Sequence, residues 1–430
     1  MNNNNIFTKN KRRLVVDETT SSSFRLVFFA FLFSISFILN GYSSGISGIS
    51  LGSVLFLLFI IWAILSGGIK KKTIISPAII VFAILFILIG FVGFFFSEEK
   101  SFGSLLSGLL KIVIWALVIT IVPVVFYSEK PFIKWMSIIG VILTIYLFIQ
   151  IVFFYIGHRY LPSIFNFWFL KPYDPNYANY ELFQRSSSLR PASFLSESSF
   201  YGNYMLCTLS LFLGKYCLRM SWKKWFLALF FSIGIVASTS TAAIIFLVLI
   251  WFAFVIKMKL NHQNVFVLVI FLALVLGFFF VLIASSNSGF FKSLRYAFEK
   301  FGYLSESSRV GKSFGYLSLL NSTQLVFGVG LGNDFFFVTN CVSAETVYLN
   351  SITSIIIQTG FFGLICFLAM IGFLMIVVIK KRDLVSCLLL FIYFIKGFES
   401  TIYFSTYGIL FLFIVVGRIG LINGFYKKKV

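Results

Sequence analysis

Twelve long apolar runs decide what this chain can fold into. They fall at about 24–40, 46–66, 74–96, 104–127, 135–157, 201–217, 225–237, 242–256, 265–284, 352–379, 384–398 and 402–417. A helix rises about 1.5 Å per residue, so roughly 20 apolar residues match the hydrocarbon thickness of a bilayer. In hydrocarbon each backbone N–H and C=O must find its partner inside the protein, and a helix achieves this within one segment. Composition agrees: 59% of the 430 residues are hydrophobic and only 11% are charged, too few to wet the surface of a soluble globule. The sequence predicts an all-α polytopic membrane protein of about 12 transmembrane helices.

Charge placement orients the spans. The net charge of +21 would suggest nucleic acid on a soluble chain. With the N-terminus cytosolic, however, 23 of the 35 cations fall on the cytosolic side, among them Lys70, Lys71 and Lys72, Lys380, Lys381 and Arg382, and Lys427, Lys428 and Lys429. Only four of the 14 acids, Asp17, Glu18, Glu129 and Asp383, join them. The excess therefore reports topology under the positive-inside rule and gives no argument for nucleic acid. The least secure boundary is at Ser238, Thr239, Ser240 and Thr241, where one helix from Trp225 to Ile256 is the alternative to two. A single helix would invert everything downstream and put the later basic clusters outside, so two spans are favoured and both termini are expected in the cytosol.

The chain then divides into a disordered cytosolic tail (1–23), a membrane domain (24–417) and a basic cytosolic tail (418–430). The first tail is polar and then basic, with no small-residue cleavage site, and reads as a tail rather than a signal peptide. Two long segments, about 158–200 and 285–350, are left outside; structureless loops of that length are uncommon and often functional. The second has amphipathic order. Phe290, Phe291, Leu294, Phe298 and Phe301 recur at helical spacing, either lying on the membrane surface or packing on the bundle. Val310, Phe314, Leu317 and Leu320 form another such stretch, stopped by the turn Gly328-Val329-Gly330-Leu331-Gly332-Asn333. That turn lacks the Lys-Ser/Thr of a phosphate loop, so a plain turn explains it better than nucleotide binding.

The chemistry-bearing residues concentrate in these segments. Arg190 and Glu197 stand seven residues apart directly before a span. A guanidinium fork holds phosphate oxygens, and a partly desolvated carboxylate accepts a proton; the plainer alternative is an Arg–Glu pair that only orders the loop. The second segment offers Arg309 and Lys312, then Glu345 and Tyr348 before Gly360 and Gly363. Neither histidine, His158 or His262, has a partner pattern, the five cysteines show no CxxC, and no metal-ligand spacing occurs, so no metal or cofactor is expected. Within the spans, Lys111 either snorkels outward or reaches a lipid phosphate, and Lys396 and Glu399 are expected to pair at i, i+3.

In this arrangement the chain resembles the bacterial O-antigen polymerase and O-antigen ligase superfamily. The motifs that carry the resemblance are Arg190, Phe194 and Glu197 before a span, then Arg309, the Gly328-Gly330-Gly332-Asn333 turn, and Tyr348-Leu349 ahead of Gly360 and Gly363. Ligases of the family have a His just before the Tyr-Leu pair, where this chain has Glu345, and 285–350 contains no His; the polymerase branch is favoured. An Arg followed by Gly at eleven residues, sometimes described for polymerases, is not met. The resemblance implies a metal-independent glycosyltransferase joining undecaprenyl-pyrophosphate-linked glycans in the bacterial inner membrane. A ligase, or a flippase or other transporter, is the alternative. Glu197, or else Glu345, would be the base; Arg190 and Arg309, helped by Arg185 or Arg295, would hold the leaving pyrophosphate, with Lys312 and Tyr348 lining the substrate. A chain-length regulator and a flippase would be partners beside membrane lipid.

Overall fold

The computed structural model describes residues 20–45, 50–67, 76–98, 100–166, 171–173, 189–218, 220–260, 309–342 and 347–422. Among these the architecture is that of an all-helical membrane protein, with only isolated bridges at Tyr42–Pro172 and Ser43–Ser50. The helices are α1 (Thr20–Leu39), α2 (Leu51–Leu65), α3 (Ser76–Phe96), α4 (Phe102–Thr120), α5 (Val122–Phe126), α6 (Glu129–Tyr155), α7 (Ser198–Tyr216), α8 (Trp222–Ala237) and α9 (Thr241–Leu260). After the long segment come α10 (Arg309–Gly315), a 3₁₀ turn (Tyr316–Leu319), α11 (Ser322–Phe327), α12 (Asp334–Val342), α13 (Ser351–Lys380), α14 (Leu384–Lys396) and α15 (Thr406–Ile422).

Among the described residues five stretches are long and apolar enough to cross a membrane: Pro77–Phe96, Phe102–Phe126, Glu129–Tyr155, Thr241–Met258 and Ser351–Lys380. Shorter apolar helices join them at Phe24–Leu39, Leu51–Leu65, Leu384–Lys396 and Thr406–Leu421. The apolar run at 265–284, the amphipathic stretch at 290–301 and the N-terminal tail through residue 19 lie outside the described residues. The apolar run at 104–127 is two helices, because Pro123 lacks an N–H and breaks the ladder after Ile121. The boundary at 238–241 is a true break. Ser238 ends α8, Thr239 takes a left-handed φ of 55°, and α9 doubles back so that the Trp225 and Trp251 rings stack at 6.0 Å.

Aromatic interdigitation fills the bundle. Phe33 of α1 packs on Phe413 of α15 at 4.1 Å, and Phe29 on Phe126 of α5 at 4.8 Å. Lipid is as apolar as these rings, so shape and contact hold the helices together rather than exclusion of water. α7 is the central helix: α6, α8, α9, α14 and α15 all pack on it, and every residue from Tyr201 to Leu213 is buried. α3 lies at the rim, with Ile80, Val81, Ile84, Leu85 and Leu88 exposed.

The bundle has two ends of different character. At one, Arg418 of α15 donates to both Asp383 oxygens, each at 2.8 Å, and to Glu129 at 2.9 Å. This latch clasps the starts of α6 and α14 to α15, which runs on to Ile422. At the opposite, loop end, Ser351 N–H donates to Gly397 O at 2.9 Å, Thr406 donates to Asn40 at 3.0 Å, and Phe200 stacks on Tyr407 at 4.2 Å.

Candidate functional site

The segment before α7 is pinned to α6 by a glutamine. Gln150 lies 1% exposed in an otherwise apolar stretch of α6. Its carbonyl accepts from Ser193 N–H at 2.9 Å, and its NH₂ donates to Leu161 O and Ser163 Oγ, both at 3.2 Å. Ser193 takes a left-handed φ of 57° and is held there by its hydroxyl, which donates to Leu143 O at 2.6 Å. A non-glycine residue adopts that conformation only when its surroundings over-determine it. Phe194 then lies flat on Tyr146 at 4.0 Å, while Leu189, Ala192 and Leu195 are buried.

This fixed segment carries two of the residues expected from sequence. Arg190 is half-buried, and Glu197 is exposed at the N-cap of α7, accepting from the Ser199 hydroxyl at 3.0 Å. A carboxylate at a helix N-terminus is favoured by the helix dipole, and here it stands at the head of a helix that is buried from Tyr201 to Leu213.

The second long segment folds onto α3, α4 and α13. Asn321 and Gln324 form a reciprocal capping box that starts α11. The glycine turn that follows uses positive φ at Gly328, Gly330 and Gly332 (79°, 103° and 71°) and wedges into the bundle: a Cβ on Gly332 would stand 2.2 Å from Ser104 O. α13 is broken at Gly360, where φ is 65°. In a continuous helix the carbonyls of Ile357 and Gln358 would pair with Phe361 and Phe362. Instead they accept from the turn, from Val329 N–H at 2.7 Å and Gly330 N–H at 3.0 Å. Gly332 N–H reaches the Gln358 side chain at 3.2 Å, Gln358 donates to Ser354 at 2.9 Å, and Ser354 donates to Asp334. The turn expected from GVGLGN is therefore a structural splice.

The chain segments that carry Lys312 and Tyr348 are tied together at the loop end. Ser313, next to Lys312, accepts from Asn350 N–H at 2.8 Å, and both Lys312 and Tyr348 are exposed. For Arg309 only the backbone, at the start of α10, is described; Arg185, Arg295 and Glu345 lie outside the described residues. Lys111 is exposed on α4 beside Leu110. Glu399 acts on Lys396 electrostatically, as expected, but the two make no direct salt bridge. α14 ends at Lys396, so Glu399 belongs to the following turn and is exposed, whereas Lys396 is 1% exposed with its ammonium 5.9 Å from the Phe246 ring centre.

Gln150 carries no charge and so falls outside the sequence expectations; the signal it leaves is a lone amide in a 27-residue helix. Among the described residues no group of three or more His, Cys, Asp or Glu is placed to hold a metal ion. No family profile, curated protein or solved structure matches the chain.

Proposed function

We propose that the protein is a membrane glycosyltransferase that polymerises undecaprenyl-pyrophosphate-linked repeat units into surface polysaccharide at the outer face of the bacterial cytoplasmic membrane. One observation carries the reading. The Arg190–Glu197 segment is held rigid by Gln150 and Ser193, yet it presents an exposed carboxylate at the head of a buried helix. Rigid support of a polar pair is what positioning a reaction demands, and is more than a connecting loop needs. The motif resemblance of Arg190, Phe194 and Glu197 supports the same assignment.

In this reading an acceptor sugar hydroxyl gives its proton to Glu197 as its oxygen bonds to the donor's anomeric carbon. The bond from that carbon to the pyrophosphate oxygen breaks, and its electron pair leaves with the undecaprenyl pyrophosphate. Arg190 and Arg309 neutralise the charge that grows on the leaving oxygens. The donor is already activated, so the chain's own residues supply acid–base and electrostatic assistance only.

Glu197→Gln keeps shape and removes the base, so polymer formation in cells should fall by about 10²–10⁴-fold at unchanged protein level. Arg190→Ala and Arg309→Ala should likewise leave surface lipid capped with a single repeat. A full-length polysaccharide ladder from all three variants would refute the assigned roles.

A further inference from the structure

α4 turns a cation outward at the depth of the lipid. The Phe102–Phe126 stretch runs from one end of the bundle to the other: Ser101 N–H donates to Asn333 at 3.2 Å at the loop end, and Tyr127 packs against Gly417 of α15 at the latch end. Lys111 stands nine residues in from Phe102, about 13 Å along the helix axis. That depth is within the hydrocarbon and exceeds what a four-carbon stem spans. The residue is exposed, and among the described residues it makes no ion pair or hydrogen bond. A bare charge at that depth is costly, and on a lipid-exposed surface the anion within reach is a headgroup phosphate.

The neighbours of Lys111 give such an anion a place. Ser104, Ser107 and Lys111 are spaced i, i+3 and i+7, so they share one stripe of α4. Both serines are half-buried, and neither hydroxyl makes a hydrogen bond among the described residues. Cα–Cβ bonds tilt toward a helix N-terminus, which for α4 lies at the loop end, so the lysine stem leans back toward the two hydroxyls. To one side of the stripe Leu106, Leu110 and Val113 are exposed. To the other, Gly108 and Trp115, three residues before Lys111 and four after it, abut the Gly332 turn and Phe82 of α3. The stripe therefore follows the seam between α3 and α4, where α3 also turns Leu85 and Leu88 outward. A cation and two hydroxyls thus lie on an otherwise apolar surface that is open to the bilayer.

We propose that Lys111, Ser107 and Ser104 hold the phosphate of an anionic phospholipid drawn down the α3–α4 seam from the leaflet at the loop end. The ammonium answers the phosphate charge, the hydroxyls donate to its oxygens, and the acyl chains lie on the apolar flanks. One ammonium matches one uncompensated phosphate. A choline headgroup carries its own cation, so its phosphate is already paired and the surface selects anionic lipid over zwitterionic. The site goes beyond the glycosyl-transfer reading: it requires binding only, and it involves neither Glu197 nor Arg190.

The test uses the full chain in nanodiscs of phosphatidylglycerol and phosphatidylcholine in equal parts, with the retained lipids read by native mass spectrometry. Wild type should retain one phosphatidylglycerol more than Lys111→Met, and the preference for that lipid should fall about fivefold or more in the variant. Lys111→Arg should keep it, and Ser104→Ala with Ser107→Ala should weaken it by a smaller factor. Because the position faces lipid, a Met there should fold as the wild type does, which circular dichroism checks. Inorganic phosphate should displace nothing; displacement by the free ion would overturn the lipid as the occupant. The same lipid count in wild type and Lys111→Met, an undiminished preference in the double serine variant, or equal Lys111-dependent retention of phosphatidylcholine would overturn the site. Polysaccharide is not measured, so this outcome stands or fails separately from the catalytic proposal.

Discussion

At the latch end of the bundle a charged cluster ties three helices: Arg418 meets Asp383 with two parallel hydrogen bonds and Glu129 with a third. At the loop end the ties between helices are hydrogen bonds of neutral groups: Ser351 N–H to Gly397 O, Thr406 to Asn40 and Tyr407 to Phe37 O. Charge-assisted hydrogen bonds are roughly twice as strong as neutral ones, so the latch end is the more firmly held of the two.

The largest effect on this contrast should come from Arg418→Met. Removing the cation strands Asp383, 7% exposed, opposite Glu129, and should cost about 3–5 kcal/mol. Unfolding titrations in mixed micelles would read the loss, while the activity of the folded fraction should hold. A variant as stable as the wild type would mean that the latch does not clasp the bundle.

Gln150→Leu should cost about 1–3 kcal/mol, since it leaves the buried Ser193 N–H and Ser163 Oγ without their partner. Its effect on polymer formation should exceed its effect on stability, because Arg190 and Glu197 lose their fixed support. If polymerisation tracks only the amount of folded protein, the rigid-segment argument fails.

The smallest effect concerns acid. Burial pushes the Asp383 carboxyl up, but the hydrogen bonds and charge of Arg418, with help from Ser386, outweigh it and hold the group below its ordinary value of 3.8. The latch's contribution is therefore complete above pH 3.8 and is lost as pH falls through the lower folded value. In Arg418→Met only the Ser386 hydrogen bonds oppose the burial, so the loss of stability on acidification should be much smaller than in the wild type. Thermal midpoints from pH 7 downward would show a shallower slope in the variant; parallel slopes would remove Arg418 as the cause.

Much of the helical layout was legible because apolar run length and charge asymmetry are local properties of a sequence. The break at 238–241 followed from the placement of basic clusters more than a hundred residues away. Partnerships were not legible. Arg418, Asp383 and Glu129 were counted as orienting charges, since one sequence gives the side of a residue and not the group it meets across 289 positions. Lys396 and Glu399 were paired by helical spacing, but the helix stops at the first of them and no direct salt bridge forms. Of the expected site, Arg190 and Glu197 stand on one pinned segment and Lys312 with Tyr348 on another; the Gln150 hub beneath the first required contacts across 43 residues.

The splice at Gly360 bears on how the chain is made. Two carbonyls of α13, at Ile357 and Gln358, depend on N–H groups of residues 329 and 330 rather than on their own helix. Those groups are synthesised first, some thirty residues ahead of the break, so they wait at the membrane before α13 arrives. The nascent helix thus enters beside a ready-made backbone partner, and its discontinuity never has to pass through lipid with bare peptide groups. A deletion that shortened the 322–333 segment would strike at insertion itself, before any substrate is met.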